Sequence, residues 1–347
     1  MPPRLALSTS VCRVPGPPQV LLDRWLTLRA AHPLALALDA RLPPPVMREL
    51  LALARVRGLS CASVAHPLGD AQGHRMASAI GQERGERRAA TQQLLETLRL
   101  AVEHEVARVV LQPWQLALRL DPSTLRDRFA RGRLLPLSEL AAQRADVAPA
   151  ALDRLLSCLD PLLDRAAQEG VTIAMLTPAI WPHQLPTEGE LARLRVELAG
   201  APLEALPARD WQHAAATLAS AAARATAGSR TSATGRPSDA WAEAVSRAAA
   251  PAGPGSTLFV PSSSAAPPAG ASGPSAAAAS PPPAGPARAL RLADAAGLRL
   301  RLPLGCGELA WGADTLPAAA ECTDALLVFD AATSAAELDR SLALLAT

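Results

Sequence analysis

The side chains best suited to move protons are two histidines and an aspartate. Asp210 and His213 are three positions apart, a spacing that places both side chains on one side of a helical turn. His66 follows a short apolar run, Leu59 to Ala65. Carboxylate and imidazole groups can accept and return a proton during a reaction. The same spacing also arises by chance, so the interpretation depends on the elements that position these residues.

The rest of the chain alternates short apolar runs, typical of buried parallel strands, with amphipathic stretches typical of helices. Two of the helix starts carry capping boxes, Thr187 with Glu190 and Ser334 with Glu337. Eight strand–helix units predict an α/β fold, a closed (β/α)8 TIM barrel. An open, doubly wound sheet is the alternative, although no G-x-G-x-x-G motif follows the first strand. The predicted strands are Leu5–Leu7, Leu34–Leu38, Leu59–Ala65, Arg108–Leu111, Val171–Met175, Pro202–Leu206, Ala289–Ala293 and Ala325–Phe329.

One long segment interrupts this pattern. Residues 214–288 are rich in Ala, Ser, Pro and Gly, a composition that cannot bury enough apolar surface to offset the entropy of ordering. We interpret it as a largely disordered insert, within which a helix near 238–250 and a strand near 257–260 are conceivable. The barrel is thus predicted to consist of residues 1–213 and 289–347.

The composition excludes several classes of protein. All 34 basic residues are arginine, which excludes mechanisms that need a lysine Schiff base. A net charge of +2 without a long basic run gives no support for a nucleic-acid partner. The five cysteines form no C-x-x-C pair, and no apolar stretch reaches the roughly 18 residues of a membrane span. The first residues are too polar for a secretory signal, so we expect a cytoplasmic protein without a membrane partner.

Four segments follow one another in an informative order. They are Val64-Ala-His66-Pro67, Ala166 to Ala174, Asp210-Trp-Gln-His213-Ala214 and Leu302 to Trp311. They resemble the H-x-P, A-x-E-x-G-V-x-I-A, D-x-G-H-A and L-P-x-G-x-G-x-x-x-W motifs of the sugar-phosphate isomerase/epimerase family, the xylose-isomerase-like barrels that also include endonuclease IV. Outside the insert, the resemblance covers nearly the whole chain. It implies a TIM barrel whose mouth binds divalent metals through His, Glu and Asp, for aldose–ketose isomerisation or epimerisation.

The sequence departs from that family where the metal ligands should be. The fourth strand ends in Gln112 where the family has His, and the fifth offers Leu176 where it has Glu. Arg301 takes the place of another His, and Asp330 that of the last Glu. Leucine contributes no ligand atom, and arginine adds a repelling cation. We therefore expect either no cofactor or a divalent metal held weakly by Asp210, His213 and Asp330.

Other residues near the predicted mouth are candidates for contact with a ligand. Gly305 and Gly307 lie in a late loop, where barrels favour phosphate sites, although a tight turn explains the glycines equally well. Arg301 has the geometry to bind an anion, or is simply a solvated surface residue. Trp181 could stack on a sugar ring or cap a core. The predicted substrate-binding residues are Gln112, Trp181, Arg301, Gly305 and Gly307.

Three functions stay open at this point. The first is a sugar isomerase/epimerase-like barrel that binds a sugar, polyol or sugar-phosphate-like molecule. In it, His66, Asp210 and His213 would move protons or act as metal ligands. The second is a catalytically silent barrel that serves as a binding or interaction module. The third, phosphodiester cleavage as in endonuclease IV, would need a full multi-metal ligand set and a basic groove. The sequence gives no indication of oligomeric state.

The one-barrel interpretation predicts the course of limited proteolysis. Cleavage should occur first within residues 214–288, despite the few basic sites there, because an unstructured segment fits a protease most readily. Size-exclusion chromatography of the digest should show that the fragments stay associated. Early cleavage elsewhere would contradict a single interrupted barrel.

Overall fold

The computed structural model describes residues 4–12, 16–29, 32–70, 72, 74–130, 136–177, 182–208, 289–292, 294–296, 299–302 and 324–346. The predicted insert, with its conceivable helix and strand, lies outside these residues. The strands are β1 (Arg4–Ser8), β2 (Ala35–Leu38), β3 (Cys61–Ala65), β4 (Arg108–Leu111), β5 (Trp114–Gln115), β6 (Thr172–Thr177), β7 (Gln184–Leu185), β8 (Leu203–Pro207), β9 (Ala289–Leu292), β10 (Asp294–Ala296), β11 (Arg299–Leu302) and β12 (Asp324–Leu327). The helices are α1 (Pro18–Arg29), α2 (Pro44–Val56), α3 (Arg84–Glu103), α4 (Pro122–Ala130), α5 (Leu137–Glu169), α6 (Glu188–Glu197) and α7 (Ala335–Ala346), with a 3-10 turn at Thr9–Val11.

Eight of these strands form one curled sheet. Their order is β8-β6-β4-β3-β2-β1-β12-β9, and every ladder between neighbours is parallel. The edge strands β8 and β9 lie in contact with each other, although no hydrogen-bonded ladder joins them in the described ranges. The sheet therefore curls into a (β/α)8 TIM barrel, as the strand pattern predicted, and the open doubly wound alternative is wrong.

Side chains alternate between the inside and the outside of the ring. Leu7 and Leu36 face outward into the large core shared with the helices, where Trp25 is fully buried and donates its indole N–H to Leu7 O at 3.0 Å. Ala6 and Ala35 face inward and belong to a separate alanine-rich cluster. This two-residue period is the property of a strand that decides which residues can reach the barrel axis.

Two helices begin, and one helix ends, at the residues that the sequence signals predict. Thr187 and Glu190 form a reciprocal capping box at α6, and Ser334 with Glu337 does the same at α7. Gly170 ends α5 with φ 69°, a left-handed conformation that glycine adopts without a steric cost.

The region before Gly170 is more helical than the sequence predicts. Hydrophobic periodicity alone predicts a long loop after β4 and a helix from about Ala150 to Glu169. The structure has α4 in that region, and α5 begins at Leu137. Helix α5 passes through Pro149 and Pro161, each of which removes one backbone N–H donor and normally ends or kinks a helix. The buried positions along α5, among them Leu152, Leu155 and Leu159, supply packing that offsets this cost.

An ion pair lies inside the barrel near the amino-terminal ends of the strands. Arg108 on β4 donates from Nε to Glu204 Oε1 on β8 at 2.9 Å, and the two side chains are 11% and 14% exposed. Arg108 lines a small internal cavity together with Ala6 and Ala62, so the alanines leave room for the long arginine side chain. Charges held this far from water are stable only when they are paired.

We expect Glu204→Leu to destabilise the fold by about 3–5 kcal/mol, because it removes the Glu204 carboxylate that is bonded to the buried Arg108 guanidinium. The double variant Arg108→Met/Glu204→Leu should recover most of that loss, since apolar side chains of similar volume fill the same space. Urea denaturation of the wild type, both single variants and the double variant measures the coupling. Strictly additive effects of the two changes would contradict this account.

No helix within the described ranges is long and apolar enough to cross a membrane.

Candidate functional site

The carboxyl ends of the barrel strands surround a small cavity. Its volume is about 30 Å³, which is room for about two water molecules. A whole sugar needs a pocket of several hundred Å³, so only one edge of such a ligand could enter. The lining residues are Ser8, Ala37, Leu38, Asp39, Ser63, Ala65, Val110, Gln112, Leu176, Leu206, Leu326 and Val328.

This mouth cavity has two chemically different sides. The neighbouring strands β1 to β4 contribute its polar groups, the hydroxyls of Ser8 and Ser63, the carboxylate of Asp39 and the amide of Gln112. Strands β6, β8 and β12 complete the ring and contribute Leu176, Leu206 and Leu326, and Val328 follows directly after β12. The cavity can therefore hydrogen-bond one edge of a molecule and contact an apolar face on the opposite side.

Asp39 is the carboxylate on the wall of the mouth cavity that sequence reasoning missed. It follows β2 directly and is 7% exposed. Its backbone N–H donates to Thr9 Oγ1 at 2.9 Å, and its Oδ1 accepts from the backbone N–H of Arg41 at 3.1 Å and from Arg41 Nε at 2.7 Å. Arg41 Nη2 also donates to Ser10 O at 3.1 Å. These bonds hold the carboxylate in one position at the barrel mouth.

His66 lies next to the mouth cavity but is not one of the described residues that line it. Thr97 on α3 donates its hydroxyl to Gln93 O at 3.0 Å, so its oxygen accepts from His66 Nδ1–H at 2.9 Å. This bond fixes the neutral tautomer with the lone pair on Nε2. Burial lowers the pKa of His66 to about 4, so the imidazole is uncharged at neutral pH.

The loops after β4 and β6 are joined into a wall on one side of the mouth. The short strands β5 and β7 pair in an antiparallel ladder, and His183, which is buried, bonds through Nε2 to Leu120 O. The pKa of His183 is lowered, mainly because the ring is partly removed from water. Arg144 on α5 donates to Gln184 O at 2.8 Å and to Glu190 Oε1 at 2.6 Å, which ties this wall to the start of α6.

The other residues predicted from the sequence have different outcomes. Gln112 lines the mouth cavity. Asp330 lies in the turn after β12, where its Oδ1 accepts from Ala332 N at 2.9 Å. Arg301 belongs to β11, which pairs with β10 outside the barrel sheet. Five further residues lie outside the described part of the chain: Trp181, Asp210, His213, Gly305 and Gly307.

The described residues do not fit a divalent metal. Gln112 at the end of β4 offers only a weak amide oxygen, and Leu176 near the end of β6 offers no ligand atom. Over the described ranges, no three His, Cys, Asp or Glu side chains lie close enough together to hold an ion.

Comparison with known proteins gives a clear result for the fold alone. No protein-family model matches the chain, and no curated protein matches it. A 3-keto-D-glucoside 4-epimerase from E. coli superimposes with a TM-score of 0.54 at 13% identity, over 99% of each chain. A D-tagatose 3-epimerase-like protein gives a TM-score of 0.55 at 12% identity, over 99% of this chain and 96% of the other. An AP endonuclease of family 2 from Brucella melitensis superimposes with a TM-score of 0.53 at 13% identity, over 99% of this chain and 98% of the other.

The fold is a xylose isomerase-like TIM barrel. This confirms the fold that the sequence resemblance implied. At 12–13% identity, epimerases and an endonuclease are about equally similar to this barrel, so its chemistry has to be argued from its own side chains.

The lowered pKa of His66 predicts how the stability of the fold depends on pH. Its pKa of about 4 in the folded barrel lies below the value near 6.5 of an unfolded chain, so the unfolded state binds more protons between these pH values. The contribution of neutral His66 is therefore complete above pH 6.5 and is lost as the pH falls toward 4. We expect the free energy of unfolding of the wild type to fall by about 2 kcal/mol more than that of His66→Gln between pH 7 and pH 4.5.

Urea titrations of both proteins at several pH values measure this difference. Glutamine keeps a hydrogen-bond donor for Thr97 but does not titrate. The comparison therefore isolates the effect of protonating His66 on stability. Parallel pH profiles for the two proteins would contradict a neutral His66 in the folded barrel.

Proposed function

We propose that this xylose isomerase-like barrel binds a sugar, a polyol or a related small molecule at the carboxyl-terminal mouth. The observation that carries the proposal is the two-sided cavity, with Asp39 and Gln112 on one side and Leu176 and Leu206 on the other. Sugars present hydroxyl groups along their edges and C–H bonds on their faces, and binding pockets match such molecules with a few placed polar groups and apolar walls. The small cavity volume fits one hydroxyl-bearing edge.

An isomerase or epimerase reaction is the finer form of this proposal. It draws on the sequence motifs and on the names of two solved barrels with the same fold, the E. coli 3-keto-D-glucoside 4-epimerase and the D-tagatose 3-epimerase-like protein. In this form His66, Asp210 and His213 move protons, and Trp181, Arg301, Gly305 and Gly307 contact the substrate beside Gln112. A pKa near 4 makes His66 a weak base at neutral pH, so its Nε2 is suited to accepting a hydrogen bond from a hydroxyl group more than to removing a proton from carbon.

A specific observation favours the alternative, a catalytically silent barrel that binds but does not turn over. The strand ends that would hold a metal in the sequence family carry Gln112 and Leu176, and both line the mouth cavity. A metal bound by Asp210, His213 and Asp330 would have lost these two contributions and would be held weakly. Phosphodiester cleavage is the least supported function, because the described donors do not make a multi-metal site.

A thermal-shift screen with D-tagatose, L-ribulose and D-xylose tests the proposed function. At least one sugar should raise the melting temperature by mass action, and the shift should persist in EDTA. Gln112→Leu should reduce the shift, because it removes a hydrogen-bonding group from the mouth cavity. Gln92→Leu, on the exposed face of α3, is the matched control and should leave the shift unchanged. No shift with any sugar would overturn the proposal.

The metal content of the purified protein and NMR in D2O separate the two forms. An active metal-dependent isomerase or epimerase should carry nearly one divalent ion per chain, exchange the C–H proton beside the sugar carbonyl, and lose this exchange with EDTA. A barrel that binds sugar without such exchange, and shows no thermal shift with manganese, cobalt, zinc or magnesium, is the silent form.

A further inference from the structure

The mouth cavity has one charged group on its wall within the described part of the chain, the Asp39 carboxylate. A buried carboxylate loses favourable hydration, and a structure keeps one when pairing or function offsets the loss. The neighbouring Arg41 pairs with it at 2.7 Å, and the arginine side chain is 39% exposed whereas the aspartate side chain is 7% exposed. Arg41 is therefore the partner closer to solvent, and Asp39 is the partner that lines the cavity.

Backbone bonds explain the position of Asp39, and its charge is paired with Arg41. In the turn after β2, the Asp39 backbone N–H donates to Thr9 Oγ1, and the Arg41 backbone N–H donates to Asp39 Oδ1. An asparagine could make both of these bonds with its backbone N–H and its amide oxygen. The carboxylate adds a stronger acceptor on a wall that also carries the Gln112 amide and the hydroxyls of Ser8 and Ser63.

We propose that Asp39 is the specificity-determining contact of the mouth cavity and accepts hydrogen bonds from the hydroxyl groups of a neutral sugar or polyol. This inference rests on the proposed function and names the residue on which it depends. A hydroxyl donates well to a carboxylate, whereas a phosphate or carboxylate group would meet the Asp39 charge in a confined space. The apolar side, formed by Leu176, Leu206, Leu326 and Val328, then contacts the C–H face of the same molecule.

The geometry assigns separate roles to Asp39 and Arg41. Arg41 bonds Asp39 Oδ1 and Ser10 O at once, so it fixes the carboxylate against the turn after β1. Arg41 is therefore a positioning residue, and Asp39 is the residue that touches the ligand. A carboxylate that is already oriented loses little freedom on binding, which favours affinity for a small ligand.

Isothermal titration calorimetry with D-tagatose, L-ribulose and xylitol tests the assignment. The wild type should bind at least one of the three, and Asp39→Asn should bind it at least about tenfold more weakly, because hydrogen bonds to a charged partner are the stronger kind. Asp23→Asn is the matched control. Asp23 pairs with Arg57 at 2.8 Å on the outer surface of the barrel and is 54% exposed, so this variant should bind within about twofold of the wild type.

Asp39→Glu covers the case in which Asp39→Asn does not fold. It keeps a negative charge beside Arg41 but moves the oxygens by one methylene group, so it should also bind at least about tenfold more weakly. Unchanged affinity in whichever variant folds overturns the role of Asp39 and leaves the proposed function standing. Absence of binding by the wild type to all three compounds overturns the proposed function, and this inference with it.

Discussion

The alternation of side chains along eight parallel strands is the constraint on which the rest of this molecule depends. Each strand can present only every second residue to the barrel axis, and near the mouth only its last one or two inward positions are accessible. In this chain Asp39, Gln112 and Leu176 take such positions, while their neighbours on the strands pack against the helices. A change of one residue in register would replace the whole lining of the cavity.

The same alternation separates two charged positions by depth. Arg108 and Glu204 meet near the amino-terminal ends of the strands, where they neutralise each other inside the ring. Asp39 stands at the carboxyl end, paired on its outer side with Arg41, which is partly exposed. The barrel encloses the Arg108–Glu204 ion pair, whereas the Asp39 carboxylate lies beside the mouth cavity. The depth at which each charge lies thus separates the structural role of Arg108 and Glu204 from the binding role that we propose for Asp39.

The sequence predicted the barrel well because its signals are local. Short apolar runs between amphipathic stretches locate the eight barrel strands, and the capping boxes at Thr187 and Ser334 locate two helix starts to the residue. Helix α5 was predicted too short because Pro149 and Pro161 weaken the local pattern, and only packing against the rest of the barrel offsets them. Asp39 was missed because the strand prediction ended at Leu38. The signal was present in Asp39-x-Arg41 directly after a buried strand, but its importance depends on a wall built from four strands.

A barrel mouth can hold a sugar without a metal. A metal at a barrel mouth supplies positive charge to polarise oxygen atoms, and Gln112 and Leu176 are poor replacements for that purpose. Recognition of hydroxyl groups needs only oriented acceptors and donors with a dry wall opposite them, and the β1–β4 side and the Leu176–Leu206 side provide both. Binding and chemistry are therefore separable in this fold. The proposed binding needs only the polar and apolar groups of the described lining, whereas the proposed isomerase chemistry would also need Asp210 and His213.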